Sequence, residues 1–147
     1  MDEYISPILA PVVALAGWTL LVMIWMVVTR FAAMRRKGIS LKGRVGSRTG
    51  SLEGVIEDSV NWKAHNYTHL LEQPTLFYAI ALTLAFVGHG DGINLVLAWA
   101  YVGLRVVHSL VQATVNIVLY RFVLWVLSSL ALIALTVHAA IAVCSHI

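Results

Sequence analysis

Two short stretches of this chain carry side chains that an apolar setting would normally reject. One holds His65, Asn66, His69 and Glu72, the other Arg105, His108, Gln112 and Asn116, and Arg121 follows. On an α-helix, His65, His69 and Glu72 fall at i, i+4 and i+7, along one side. Arg105, His108, Gln112 and Asn116 fall at i, i+3, i+7 and i+11, again one stripe. Charged groups within a bilayer cost ~2.5–3.5 kcal/mol each on insertion scales, so they survive where they face protein, water or a ligand. Two polar stripes and a further arginine predict a wet, basic cavity inside a helix bundle. Its chemistry would be the holding of a charged, water-soluble ligand. Glu72 could instead pair with Arg105 or His108 as interhelical glue. The spacing of His65, His69 and Glu72 also suits a metal ion. His65 and His69, however, lie in the first turns of their helix, where His is a common polar end residue, and no metal is assigned. His108 and His138 come out ~8 Å apart in depth at the helical rise, which sets aside a haem held between them. Cys144 has no basic neighbour except His146 and reads as an idle thiol.

The surrounding composition says what must position these groups. Of 147 residues, 60% are hydrophobic and 12% charged, and the mean hydropathy is +0.85. A soluble domain is nearer 45–50% apolar and about 25% charged. An ordinary soluble enzyme, a disordered chain and a nucleic-acid-binding tail are excluded. A single cysteine excludes an internal disulfide. The reading is one all-α integral membrane domain over residues 1–147, a bundle of four transmembrane helices. The helices are expected at about 5–34, 62–87, 93–119 and 120–143, with a polar loop at 35–61. The first is read as a retained helix, because its start is acidic (Asp2, Glu3) and its apolar core is longer than a secretory signal's. The near-absent connection before the fourth helix makes helices three and four antiparallel neighbours.

Eight of the ten Lys and Arg lie between Arg30 and Lys63. The loop residues Arg35, Arg36, Lys37, Lys42, Arg44 and Arg48 place that loop in the cytoplasm, with both termini on the other side. Arg121 then returns to the cytoplasmic end. By the helical rise Glu72 sits about 12–15 Å from that end and His108 about 16 Å, so the cavity lies in the cytoplasmic half of the bundle.

The order of motifs is distinctive: a basic first loop, E-x-P-x-x-F at Glu72, Pro74 and Phe77, R-x-x-H at Arg105 and His108, then Arg121. This resembles the MAPEG superfamily, the membrane-associated proteins in eicosanoid and glutathione metabolism, in a bacterial branch. The likeness covers nearly the whole chain and is strongest from Asn66 to Leu130. It implies a homotrimer in the cell inner membrane that binds glutathione between subunits and meets a lipophilic small molecule in the lipid. The activity implied is a glutathione-dependent transferase or peroxidase. A non-catalytic lipid- or partner-binding protein on the same scaffold is the alternative. By the resemblance, Arg121 stabilises the glutathione thiolate. Glu72 meets the peptide's amino end, Arg35 and Arg36 meet its carboxylates, and Arg105 and His108 form the pocket wall. Asn66, His69 and Gln112 complete the expected binding set. The sequence departs from the family's glutathione users at His65, Thr68 and His69, where those carry arginines and an asparagine. It departs again at Gln112, Phe122 and Trp125.

Overall fold

The computed structural model describes residues 5–43, 45–46 and 50–145. Arg44 and Arg48 of the basic loop, Asp2 and Glu3 at the acidic start, and His146 lie outside the described residues. Four helices account for most of the chain: α1 (Leu9–Arg36), α2 (Asp58–Phe86), α3 (Gly92–Thr114) and α4 (Val118–Cys144). Three of them, α1, α3 and α4, are long and apolar enough to cross a membrane. The 29-residue α2 is equally long but carries Asn61, Lys63, His65, Asn66, His69, Glu72 and Gln73. Those side chains make it the least apolar of the four.

The helices begin and end for local reasons. Pro11 sits in the first turn of α1, where a missing N–H costs least. Arg35 and Arg36 close α1, where cations complement the helix dipole. Asp58 opens α2 with the opposite charge. That helix starts four residues before the expected Trp62, and the 35–61 segment is not purely a polar loop. Leu52, Ile56 and Val60 pack with Ala33 and Met34 into a small second core, joined by Ile39. Asn61 Nδ2 donates to the Leu52 carbonyl at 3.3 Å and ties that core to α2.

Helix α3 ends at Thr114 rather than near Leu119. The apolar run Ile117–Val118–Leu119 belongs to the start of α4. Between the helices Asn116 takes a left-handed conformation (φ 53°), which Asn tolerates better than most residues. Its amide N–H donates to the Val111 carbonyl at 2.7 Å. Asn116 therefore does not continue the α3 stripe, as the i+11 spacing had implied; it makes the turn. The three-residue link leaves α3 and α4 as antiparallel neighbours with the most extensive pairing in the fold. α1 packs on α2 and lightly on α3, but not on α4.

The main core joins α1, α2, α3 and α4 through Leu15, Val22, Phe77, Leu84, Tyr101 and Leu135. Its centre is a stacked pair, Phe77 of α2 and Tyr101 of α3, with ring centroids 4.6 Å apart. At the far end, Gly90 in the α2–α3 turn lies directly against Ser6 and Ile8, so a Cβ there would overlap both side chains. Gly103 has open space where its Cβ would stand. Gly90→Ala should therefore lower stability by ~1–3 kcal/mol, as overpacking does. Gly103→Ala should leave the thermal midpoint of the detergent-purified protein unchanged or raise it. Equal midpoints for the two variants would contradict this packing.

Candidate functional site

The α2–α3 contact builds the polar cluster. Phe77 fixes Tyr101, and the Tyr101 hydroxyl accepts a hydrogen bond from Arg105 Nε at 3.3 Å. The guanidinium also lies over the Tyr101 ring, 5.7 Å from its centroid. Arg105 is 2% exposed and is the largest of the fully buried side chains. Among the described residues no carboxylate lies within ion-pair distance of it or of Arg121. A buried cation without a counter-charge carries a desolvation penalty of several kcal/mol.

One turn along α3, His108 Nε2 and Gln112 Oε1 are 3.2 Å apart, and both residues are buried. A carbonyl oxygen can only accept, so Nε2 carries the proton of the neutral ring and Nδ1 keeps a lone pair. That Nδ1 is buried and has no hydrogen-bond partner. The His69 ring of α2 approaches the His108 ring edge-on at 6.1 Å between centroids. Both Arg105 and Arg121 are close enough to act electrostatically on these two rings. Asn66 of α2, wholly buried, donates from Nδ2 to Ser109 Oγ at 2.7 Å.

Arg121 lies in the first turn of α4. Its Nη1 donates to Asn116 Oδ1 at 2.7 Å, and its Nε is buried with no partner. The turn residue Asn116 thus positions the arginine at the positive end of the helix dipole. The structure brings together Asn66, His69, Arg105, His108, Gln112 and Arg121.

Glu72 and the first-helix arginines are placed differently. Glu72 Oε2 pairs with His69 Nδ1 at 3.1 Å, neither with Arg105 nor with His108, and its side chain is 60% exposed. His65 turns to Glu53, 2.9 Å away, so His65, His69 and Glu72 do not converge on one point. Among the described residues no three His, Cys, Asp or Glu side chains form a metal-ligand group. Arg36 pairs with Glu57 at 3.7 Å, and Arg35 borders a separate recess at the end of α1. No contact joins either arginine to the Arg105 cluster.

Sequence reasoning missed three participants. Tyr101 is Arg105's partner one turn earlier, a position the i−4 spacing would have indicated. Ser109 holds Asn66. Lys63 donates to the Ser59 carbonyl at 2.7 Å and to the Ala113 carbonyl at 3.4 Å, and covers the Trp25 ring at 5.0 Å. It joins α1, α2 and the end of α3.

Comparison with protein families resolves the ancestry of this arrangement. The family model described as MAPEG family matches residues 8–141, which spans α1 to α3 and all but the last three residues of α4. The chain belongs to the MAPEG family. Comparison with curated proteins and with solved structures gives no match. Membership of this membrane family agrees with the three long apolar helices and identifies a membrane protein. Within this MAPEG chain, the turn that carries Asn116 sets the position of Arg121. Asn116→Ala should cost ~1–2 kcal/mol from the left-handed backbone alone. Asn116→Gly should spare the backbone yet free the arginine. Thermal unfolding of both variants checks this: equal losses would mean that backbone strain plays no part.

Proposed function

We propose that this protein is a membrane-bound, glutathione-dependent transferase or peroxidase acting on a lipophilic electrophile. The observation that carries the reading is Arg105, fully buried with no acidic partner among the described residues, beside Arg121, His69 and His108. Such a cluster needs an anion to offset it. A glutathione carboxylate would suit Arg105. The lone pair of His108 Nδ1 would accept an N–H of the peptide. Glu72, paired only with a histidine, would receive the amino group.

Arg121 would hold the sulfur. A free thiol has a pKa of about 8.5, and a nearby cation or a helix N-terminus lowers it. Arg121 supplies both. The thiol gives its proton to water, and the thiolate attacks an electrophilic carbon delivered from the lipid. The carbon–sulfur bond forms as that carbon's bond to its leaving group, or the π bond of a conjugated double bond, breaks, and the displaced electron pair takes up a proton from water. Proximity supplies much of the remaining acceleration.

The outward face of α2 supports assembly with further copies. Thr68, Glu72, Thr75 and Ala79 are exposed and recur at i, i+4, i+7 and i+11. Lipid is a poor neighbour for a carboxylate, whereas small and polar side chains are favoured where membrane helices meet. A homotrimer with the ligand between subunits would cover this stripe. In that arrangement the basic loop faces the cytoplasm of a cell whose inner membrane holds the protein. Arg35 and Arg36 stand apart from the cluster within one chain, and in the homotrimer those of a neighbouring copy would meet the glutathione carboxylates.

Isothermal titration of glutathione into the detergent-purified protein should show saturable binding at or below millimolar concentration. Thiolate absorbance of the bound peptide should appear near neutral pH, and Arg121→Ala should remove it while leaving the thermal midpoint within a few degrees. Absence of binding at millimolar glutathione would overturn the reading.

A further inference from the structure

At the opposite end of the bundle from Arg121, a recess of about 220 Å³ lies between the α2–α3 turn and the last turns of α4. It is lined by His89, Asn94, His138, Ile141, Ala142 and Ser145. From Arg121 to His138 α4 rises about 25 Å, so the recess stands clear of the Arg105 cluster. Its polar side is built around one buried amide. Asn94 Nδ2 donates to the His89 carbonyl at 2.9 Å, which leaves Oδ1 as the end that meets His138. That oxygen lies 2.6 Å from His138 Nδ1. An amide oxygen can only accept, so His138 Nδ1 carries the proton and Nε2 of the neutral ring carries a lone pair. Histidines that ligate metals are held in this way: one ring nitrogen donates to a fixed oxygen and the other is left for the ion. His89, an exposed residue, brings a second imidazole to the same recess. Its backbone is tied on both sides, since its N–H donates to the Leu84 carbonyl at 2.9 Å and its own carbonyl accepts from Asn94. Among the described residues no Lys or Arg lines the recess.

We propose that this recess binds a divalent metal ion of the Zn²⁺ and Ni²⁺ class between His138 Nε2 and the His89 imidazole, with water completing the shell. The inference goes beyond the glutathione reading and does not depend on it. The class of ion follows from the donors. Imidazole nitrogen suits Zn²⁺, Cu²⁺ and Ni²⁺, whereas Mg²⁺ and Ca²⁺ take oxygen ligands. A water needs only roughly 10–15 Å³, so the recess has room for an ion and its waters. Two protein ligands hold an ion less tightly than the closed four-ligand shell of a structural zinc site, which makes this a reversible site. The orienting partner is Asn94, which fixes His138 and also joins the start of α3 to the α2–α3 turn that carries His89.

Isothermal titration of ZnCl₂, NiCl₂ and MgCl₂ into the untagged, detergent-purified protein, free of glutathione, tests the proposal. Zn²⁺ and Ni²⁺ should each bind saturably at one ion per chain, and Mg²⁺ should not bind. His89→Ala and His138→Ala each remove a ligand and should each weaken Zn²⁺ binding about ten-fold or more. Asn94→Ala keeps both imidazoles but frees His138, and should weaken binding about 10–100-fold, the loss typical for an orienting partner of a metal ligand. Zn²⁺ should raise the thermal midpoint of the parent, as a ligand of the native state does, and leave that of His89→Ala unchanged. Because His89 is exposed, this variant keeps the test decisive where substitution at His138 or Asn94 unfolds the protein. Cys144→Ser, which removes the nearby exposed thiol, should bind Zn²⁺ as the parent does. Absence of saturable Zn²⁺ binding would overturn the proposal. So would binding that survives the combined His89→Ala and His138→Ala change, that is lost in Cys144→Ser, that is unchanged in Asn94→Ala, or that Mg²⁺ matches.

Discussion

A guanidinium buried in a helix bundle without a carboxylate beside it is the constraint on which the rest of this structure turns. Arg105 has one hydrogen bond, to Tyr101, and a ring face below it. Neither neutralises its charge. The fold holds the arginine there firmly, because Tyr101 is stacked on Phe77 in the centre of the core. The same packing that stabilises the bundle holds this cation with no ion pair among the described residues. Further along the same α2–α3 contact, His108 Nδ1 and Asn66 Oδ1 are buried with no hydrogen-bond partner. Such incomplete satisfaction is costly in a folded protein and points to a partner from outside the chain.

The second constraint is the divided character of α2. Its inner face contributes Phe77 and Leu84 to the core, and its outer face shows Thr68, Glu72 and Thr75. A helix of this kind suits an interior position between subunits better than contact with lipid. In the proposed homotrimer the exposed Glu72 carboxylate would fall at a boundary between copies, while Arg105 would stay inside one. Helix α4 completes the geometry. The tight turn at Asn116 brings the first turn of α4, and hence Arg121, back toward the α2–α3 contact.

Much of this was legible in the residues. Apolar lengths located four helices, and the periodicity of Arg105, His108 and Gln112 put them on one side of α3. The short link foretold the α3–α4 pairing. What spacing could not supply was the rotation of one helix against another, and that decided Glu72. Its stripe with His69 was correct, yet the carboxylate turns outward while the His69 ring lies edge-on against His108. Asn116 failed for a different reason: helical periodicity holds only while the helix lasts. An asparagine within a continuous apolar run hid the turn, because the residues on both sides suit a membrane helix equally well. The second core at Leu52, Ile56 and Val60 was obscured by the glycine, serine and charge around it. Arg35 and Arg36 are adjacent in sequence and exposed, and only the fold shows which of them reaches Glu57.

The central claim is that Arg105 is retained for an external anion rather than for stability. The most direct measurement is the thermal midpoint of the purified protein and of Arg105→Met, each with and without saturating glutathione. Replacing a buried charge by an apolar group of similar length is often neutral or stabilising. The account predicts that Arg105→Met unfolds at or above the parent's temperature without ligand, and that glutathione raises the midpoint of the parent alone. A variant that unfolds well below the parent without ligand, or that keeps the full glutathione shift, would contradict it.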